Sequence, residues 1–342
     1  MARKKKIKTF EEIRQYELLN TRVCDLPLRI EGLLRVCILE LFKELKKKKV
    51  KFRPRFYMGA ELDDGWGCVE GTCCIEIPFY LANRELRQMH HEYYADVESR
   101  DEIMKILRHE TGHAINYAYK LHKRKDWNDI FGNFRKRYPK EYDAKPWSKK
   151  HVQHLDFLYA QKHPDDDWAE SFAVWLTPEI NWRRRYKGWD AIEKLIYVDI
   201  VMKQIAGKRP VSMKVSYDSP ARKMRHTLAQ LYDIEAVAAL SEEETEEYIK
   251  DLSQIFIRRT RRRGYHLPAC DFLRRYREAI VEGVSTWIMC SNRNSVSKII
   301  RRLEAVSRHY DLVLMKSEEA VKLAEVTTLV AWYVINDIYG LE

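Results

Sequence analysis

The chain has 342 residues, of which 45% are hydrophobic and 33% charged, and its formal net charge is +11 at pH 7. This composition is typical of a folded protein and excludes a disordered one, and the length predicts two domains. No run of about 18 apolar residues occurs, which excludes a membrane-spanning helix.

The first residues are basic, as in an export signal, but acidic residues follow where an apolar stretch is required. We therefore expect a cytoplasmic protein. Its seven cysteines include no CxxC pair, which argues against a disulfide framework. Cys68, Cys73 and Cys74 remain a weaker candidate for binding a soft metal.

Apolar residues recur at three- and four-residue intervals over 26–49, which predicts an amphipathic helix with a lysine-rich end. The segment 52–82 is punctuated by glycines and is rich in aromatic and β-branched residues, so we predict two or three strands there. We expect the last of them to cover 72–80.

Ser99 and Glu102 form a capping box that predicts the start of a helix running to about residue 123. A polar loop follows, and then 166–176 is predicted to be a second helix, which Pro178 ends.

Another amphipathic segment covers 189–205. Beyond it the pattern is helical throughout, with a second capping box at Ser241 and Glu244. We therefore predict two domains, 1–215 and 216–342, of which the second is basic and entirely helical.

The first predicted helix after the strands carries His109, Glu110 and His113 in the HExxH arrangement. Side chains four residues apart share one face of a helix, so both imidazoles can bind one ion while Glu110 lies beside them. Neutral imidazoles suit zinc, and the carboxylate can reach a water on the metal. Gly112 allows another backbone to approach this helix closely.

A catalytic zinc site needs a third protein ligand and an open position for water. Tyr119 occupies the position where the longer all-histidine pattern places its third ligand, so that class is excluded. Glu170 is the predicted ligand, because a carboxylate in a buried helix is costly unless it is paired or bound to a metal. Three histidines are alternatives: His151, His154 and His163.

Asp167 lies one turn before Glu170, and we predict that it binds the outer nitrogen of a ligand histidine and so holds its tautomer. We expect at least two of Asp165, Asp166 and Asp167 to serve only as helix-start charges and N-caps.

The HExxH segment followed by 167–178 resembles the zinc-binding metallopeptidases of bacteria, which are gluzincin-like and related in pattern to the anthrax lethal factor type of catalytic domain. Trp66-Gly67-Cys68 and 77–82 also resemble them, and the likeness covers about 50–205. Val174 departs from the thermolysin pattern, which has an aspartate there.

The resemblance implies an α+β, zincin-like domain in which a small antiparallel or mixed sheet packs on the metal-site helix. In such folds the strand before that helix, here 72–80, is expected to be a sheet edge that can pair with an extended substrate. It also implies Zn²⁺ held by His109, His113 and Glu170, and a tyrosine that stabilises the oxyanion, which we match to Tyr159.

We therefore predict a zinc metallopeptidase that cleaves a protein or peptide substrate, with Glu110 as the base that activates water. The alternative is a regulatory module with a silent or self-cleaving metal site, whose basic C-terminal helices bind nucleic acid or a protein partner. Their densest basic run is the arginine cluster within 258–263. A third hypothesis is that the C-terminal region, 216–342, serves as a lid or an oligomerisation surface.

Overall fold

A computed structural model describes residues 17–62, 65–94, 97–139, 142–178, 180–232, 240–259, 266–288 and 293–339. Helices predominate beside two three-stranded sheets, so the predicted α+β class is confirmed. Among these residues, no helix is long and apolar enough to cross a membrane.

The described residues form two compact units. The larger unit contains residues 27–87 and 98–224, and the smaller unit contains the described residues within 1–26, 88–97 and 225–342. This division differs from the predicted one at residue 215, because two segments from the first half of the sequence belong with the C-terminal residues.

The elements of the larger unit alternate short strands with helices. Its strands are β1 (Arg55–Gly59), β2 (Gly67–Cys68) and β3 (Cys74–Pro78). Its helices are α1 (Gly32–Lys47), the first turn of α2 (Arg84–Tyr94), α3 (Arg100–Ala118), α4 (Lys125–Phe131), α5 (Pro164–Leu176), α6 (Trp182–Arg185) and α7 (Ala191–Ile205). Short 3-10 turns lie at Phe79–Ala82, Leu121–Lys123, Asp156–Gln161 and Ala221–Lys223.

Helix α3 begins at the predicted capping box. The Glu102 backbone N–H donates to Ser99 Oγ at 3.3 Å, and the Ser99 N–H donates to Glu102 Oε2 at 2.7 Å. The helix ends at Ala118, earlier than predicted, because Lys120 adopts the left-handed conformation (φ 54°) and a 3-10 turn follows.

The sheet of the larger unit has the order β1-β3-β2. β3 pairs in parallel with β1 and antiparallel with β2, so the expectation that this strand lies at an edge was wrong. All five β3 residues are buried, as expected of a strand paired on both sides. The edge next to α3 is β2, which contacts that helix.

Helix α3 crosses the core of the larger unit, where it packs against α1, α5 and the sheet. A Cβ added to Gly112 would lie 2.8 Å from the Ala169 Cα, which confirms that the glycine allows close approach of another backbone. The Trp168 indole N–H on α5 donates to the Gly112 carbonyl at 2.8 Å. The two helices are therefore in backbone contact at the middle of the HExxH segment.

The smaller unit also contains strands, so the prediction of an all-helical region was wrong. β4 (Ile257–Arg258) and β5 (His266–Pro268) both pair antiparallel with the central strand β6 (Leu312–Met315). These strands are too short to show a two-residue period. In the arginine cluster, Arg258 is exposed on β4, and residues 260–263 lie outside the described part.

Helices account for the rest of the smaller unit. They are the last turns of α2, then α8 (Leu228–Leu231), α9 (Glu242–Ile255), α10 (Ala269–Trp287), α11 (Arg293–His309) and α12 (Glu319–Tyr339), with a 3-10 turn at Val23–Asp25 and another at Lys316–Glu318. The predicted capping box at Ser241 and Glu244 is confirmed at the start of α9. A separate core surrounds the fully buried Phe272 and Leu303.

Candidate metal centre

The two histidines of the HExxH segment point toward one place. They lie four residues apart on α3, both are buried, and their Nε2 atoms are 3.0 Å apart. This is the convergence that the spacing predicts for one face of a helix.

Each histidine has a carboxylate on its outer nitrogen. His109 Nδ1 lies 2.9 Å from Glu170 Oε1, and His113 Nδ1 lies 2.9 Å from Asp165 Oδ2. Ionised carboxylates only accept hydrogen bonds, so each Nδ1 carries the proton and each neutral ring presents a lone pair at Nε2. Two lone pairs 3.0 Å apart repel each other unless a proton or a metal cation lies between them.

Glu170 is fully buried, and both of its carboxylate oxygens accept hydrogen bonds. Besides His109, its Oε2 accepts backbone N–H groups from His154 at 3.2 Å and Leu155 at 3.0 Å. Burial raises the pKa of Glu170, but these donors lower it by more, so the carboxyl is ionised. The glutamate therefore connects the metal-site helix to the loop before α5.

Asp165 is held in the same way. Its carboxylate accepts from Asn116 Nδ2 at 2.6 Å and from the Tyr117 hydroxyl at 2.5 Å in addition to His113. Burial raises its pKa, whereas His113, Tyr117 and Asn116 lower it and leave a net decrease.

Asp166 is the carboxylate that faces the two Nε2 atoms. Its Oδ1 lies 3.4 Å from His113 Nε2 and 3.9 Å from His109 Nε2. Its Oδ2 is buried and has no hydrogen-bond partner among the described residues. An ionised oxygen left so is costly unless a cation is present.

The three converging atoms have the size of a zinc site. The distances among His109 Nε2, His113 Nε2 and Asp166 Oδ1 are 3.0, 3.4 and 3.9 Å, so a point equidistant from all three atoms in their plane lies about 2.0 Å from each. Zinc binds nitrogen and oxygen at about 2.0–2.2 Å. Among the described residues, His109, His113 and Asp166 are also the one group of three side chains close enough to share a metal ion. The donor set of two imidazoles and a carboxylate suits zinc and other divalent transition metals.

The centre favours positive charge at His113. Burial alone lowers the pKa of this histidine, but Asp165, Asp166 and Glu110 raise it well above its usual value. The same carboxylates that stabilise a proton there also stabilise a metal cation.

The predicted third ligand, Glu170, lies at the outer nitrogen of His109, and Asp166 faces the inner nitrogens. Asp167, predicted to hold a histidine tautomer, instead meets Lys194 Nζ on α7 at 2.5 Å. Glu170 and Asp165 bind the outer nitrogens of the two histidines, the role that was predicted for Asp167. The physical reason is angular position on α5: Asp166 and Glu170 are four residues apart and share the face toward the histidines, whereas Asp167 faces Lys194.

The aspartates do not serve as simple N-caps. Helix α5 begins at Pro164, two residues before the predicted start, and the N-cap is His163, whose Nδ1 accepts the Asp165 N–H at 3.1 Å. Asp165, Asp166 and Asp167 are therefore inside the first turn, and all three are buried. Proline is favoured at the first position of a helix, so Pro164 was the sequence signal that could have corrected this register.

The alternative metal ligands have other contacts. His154 Nε2 donates to the Lys105 carbonyl at 3.0 Å, and His163 Nε2 donates to the Lys136 carbonyl at 2.7 Å. His151 lies 3.8 Å from Asp167. The candidate cysteines Cys68, Cys73 and Cys74 do not form a ligand group within the described part of the chain.

Glu110 lies between the two histidines and borders the edge strand. Its residue is 8% exposed, and no hydrogen bond from the described residues engages its carboxylate. Burial raises the pKa of the Cys68 thiol on β2, and the charges of Glu110 and Asp165 raise it further. Glu110 is thus a carboxylate with free acceptor capacity next to the centre.

Tyr159 lies beside the centre, with its ring centroid 5.5 Å from that of His109. Its hydroxyl accepts a hydrogen bond from Lys162 Nζ at 3.1 Å. The two preceding residues, Phe157 and Leu158, both have left-handed backbone conformations, with φ of 58° and 56°. Such conformations are rare for large side chains and concentrate at functional sites.

Comparison of the chain with protein-family profiles, with curated proteins and with solved structures finds no match in any of the three.

Proposed function

We propose that the chain is a zinc-dependent peptidase whose metal is held by His109, His113 and Asp166. One observation carries this proposal: three buried donor atoms converge at zinc-site distances while both outer imidazole nitrogens are bound by carboxylates. The replacement of Glu170 by Asp166 as third ligand changes the predicted ligand set but keeps its chemistry.

The surrounding structure supports the same proposal. The mixed sheet lies beside the metal-site helix, as a zincin-like fold requires, and the half-buried strand β2 is the sheet edge that contacts this helix. An extended peptide can add to a free strand edge through its backbone. In this proposal that strand edge replaces the 72–80 segment as the place where substrate pairs.

When bound, zinc supplies a Lewis acid that polarises a carbonyl group and acidifies water. Glu110 accepts the proton of the attacking water and returns it to the leaving amine, a role open to it because no described residue occupies its carboxylate. Glu170 and Asp165 keep the histidines in the Nδ1–H tautomer. The Tyr159 hydroxyl donates a hydrogen bond to the oxyanion that forms at the substrate carbonyl.

The test compares the wild-type chain with Glu110→Gln. We expect about one zinc per chain in both proteins. We also expect the variant to cleave peptides from a cell extract about 10²–10⁴-fold more slowly than the wild type. Full activity in the variant would remove Glu110 from the mechanism. Zinc in both proteins with cleavage in neither would support the alternative of a silent, regulatory site.

A further inference from the structure

A second site is lined in part by the loop that supports Glu170. It is a cavity of about 550 Å³ within the larger unit. Helix α3 forms one wall through Arg100, Lys105 and Arg108, and Arg185 and the loop residues Gln153 and His154 complete it. This volume lies within the range of small-molecule sites.

The charges of the cavity are unevenly compensated. Arg108 is neutralised behind the wall by Glu44, which it meets with two hydrogen bonds of 2.9 and 2.7 Å. Arg100 pairs with Glu40 and, at 3.5 Å, with Asp101, which also lines the cavity. Among the described residues, Lys105 and Arg185 form no ion pair with an acidic side chain, so they outweigh the second carboxylate beside Arg100 and leave the lining with a net positive charge.

The backbone of the loop positions one of the two cations. Arg185 lies within hydrogen-bond reach of the Gln153 carbonyl, at 3.5 Å, which turns its guanidinium toward the loop. Lysine and arginine facing one cavity are the groups that recognise phosphate and carboxylate oxygens.

We propose that this cavity binds a small oxyanion, either a phosphate ester or a dicarboxylate. The site is separate from the metal centre, and the proposal does not depend on the hydrolytic function. It is, however, connected to the centre. His154 donates through Nε2 to the Lys105 carbonyl and through its backbone N–H to Glu170, which binds His109.

This connection gives the ligand a route by which it alters the metal centre. An anion that moves Lys105 or the His154 loop changes the hydrogen bonds that fix Glu170. Coupling of two binding events is reciprocal, so the anion and the metal change each other's affinity by the same factor.

The test titrates the full chain at low ionic strength with inorganic phosphate and, separately, with glutarate, and follows heat of binding and thermal unfolding. We expect saturable binding that weakens at higher salt. Lys105→Gln with Arg185→Gln should weaken it by about tenfold or more, since hydrogen bonds to charged groups are the strong ones. Lys105→Arg should retain binding.

The matched control removes two exposed charges elsewhere in the larger unit, Lys123→Gln with Arg209→Gln, and should leave binding unchanged. Binding of phosphate alone, or of glutarate alone, identifies which source of oxyanion the cavity takes. Equal binding by the wild type and the Lys105/Arg185 variant would overturn the proposal, as would absence of binding by both probes at low salt. The coupling would be established if the anion changes the metal affinity of the wild type but not that of the Lys105/Arg185 variant.

Discussion

Replacing Asp166 by asparagine tests which carboxylate of α5 binds the metal. The amide keeps the shape of the side chain but removes the charge that faces His109 and His113 at 3.9 and 3.4 Å. The matched substitution is Glu170→Gln, which leaves the three converging atoms in place and alters the support of His109. The two variants therefore separate a ligand from a residue that positions one.

The two substitutions should lower the zinc affinity by different amounts. Structural zinc sites bind with about 10–16 kcal/mol, so one of four ligands is worth roughly 3–4 kcal/mol, or about 10²–10³-fold in affinity. Loss of a carboxylate that supports a ligand histidine costs about 10–100-fold. We therefore expect Asp166→Asn to lose zinc more completely than Glu170→Gln in competition with a chelator.

In the metal-free protein the order should be reversed, with Glu170→Gln losing more unfolding free energy than Asp166→Asn. Glu170 accepts hydrogen bonds from His109 on one oxygen and from two backbone N–H groups on the other. A glutamine must point its NH₂ group at donors on one of these sides, which costs about 1–3 kcal/mol for the buried groups left unpaired. Asp166→Asn removes the contact of Oδ1 with His113 at 3.4 Å, but Oδ2 has no hydrogen-bond partner to lose among the described residues. This variant should therefore destabilise the metal-free fold less than Glu170→Gln.

The assay measures zinc affinity by chelator competition and unfolding free energy by urea denaturation after metal removal. A variant Asp166→Asn that binds zinc like the wild type, together with a Glu170→Gln variant that does not, would refute the assignment and restore Glu170 as the ligand.

Three further expectations concern single side chains. Tyr159→Phe should keep the metal and slow cleavage by about 10²–10³-fold as an oxyanion donor is lost; unchanged kinetics would leave only a packing role. Gly112→Ala should destabilise the fold, because overpacking against Ala169 costs about 1–3 kcal/mol and outweighs the roughly 1 kcal/mol that alanine gains in a helix. The control Gly283→Ala meets only an ordinary contact at 3.9 Å and should be neutral or stabilising in thermal unfolding. For Asp199, burial raises the pKa, but hydrogen bonds from Trp175, Lys203 and Arg183 lower it to about 2 from 3.8. Because Arg183 and Lys203 are themselves exposed and solvent screens their charges, that difference adds about 0.2–1 kcal/mol of stability above pH 4, lost as the pH falls from about 4 to 2; Asp199→Asn should remove it, and an equal deficit at pH 2 and pH 7 would contradict this.

The local features of the metal-site helix could be predicted from the sequence because they depend on neighbours along one helix. The Ser99 capping box and the His109 and His113 spacing require only helical periodicity, and Gly112 is informative because its lack of a side chain is unusual inside a helix. Placement of the third ligand depended instead on how a second helix crosses the first.

That crossing could not be derived from periodicity. A two-residue error in the start of α5 made Asp165 and Asp166 look like terminal charges, and Glu170 then remained as the single interior carboxylate. The position of β3 was missed for a related reason, since strand order depends on pairing between segments distant in sequence. The strands of the smaller unit were missed because runs of two to four residues carry no period.

The division of the centre between two helices gives it a compact sequence signature. His109, Glu110 and His113 come from one helix, and Asp165, Asp166 and Glu170 come from the other, so the centre reads as HExxH followed by DDxxxE. The intervening loop and the strands contribute no proposed metal ligand, and the Glu170 contacts of the loop come from backbone N–H groups, which any residue except proline can supply. A search for this paired signature, with an unrestricted gap between its halves, can therefore detect distant relatives whose sheets and loops no longer align.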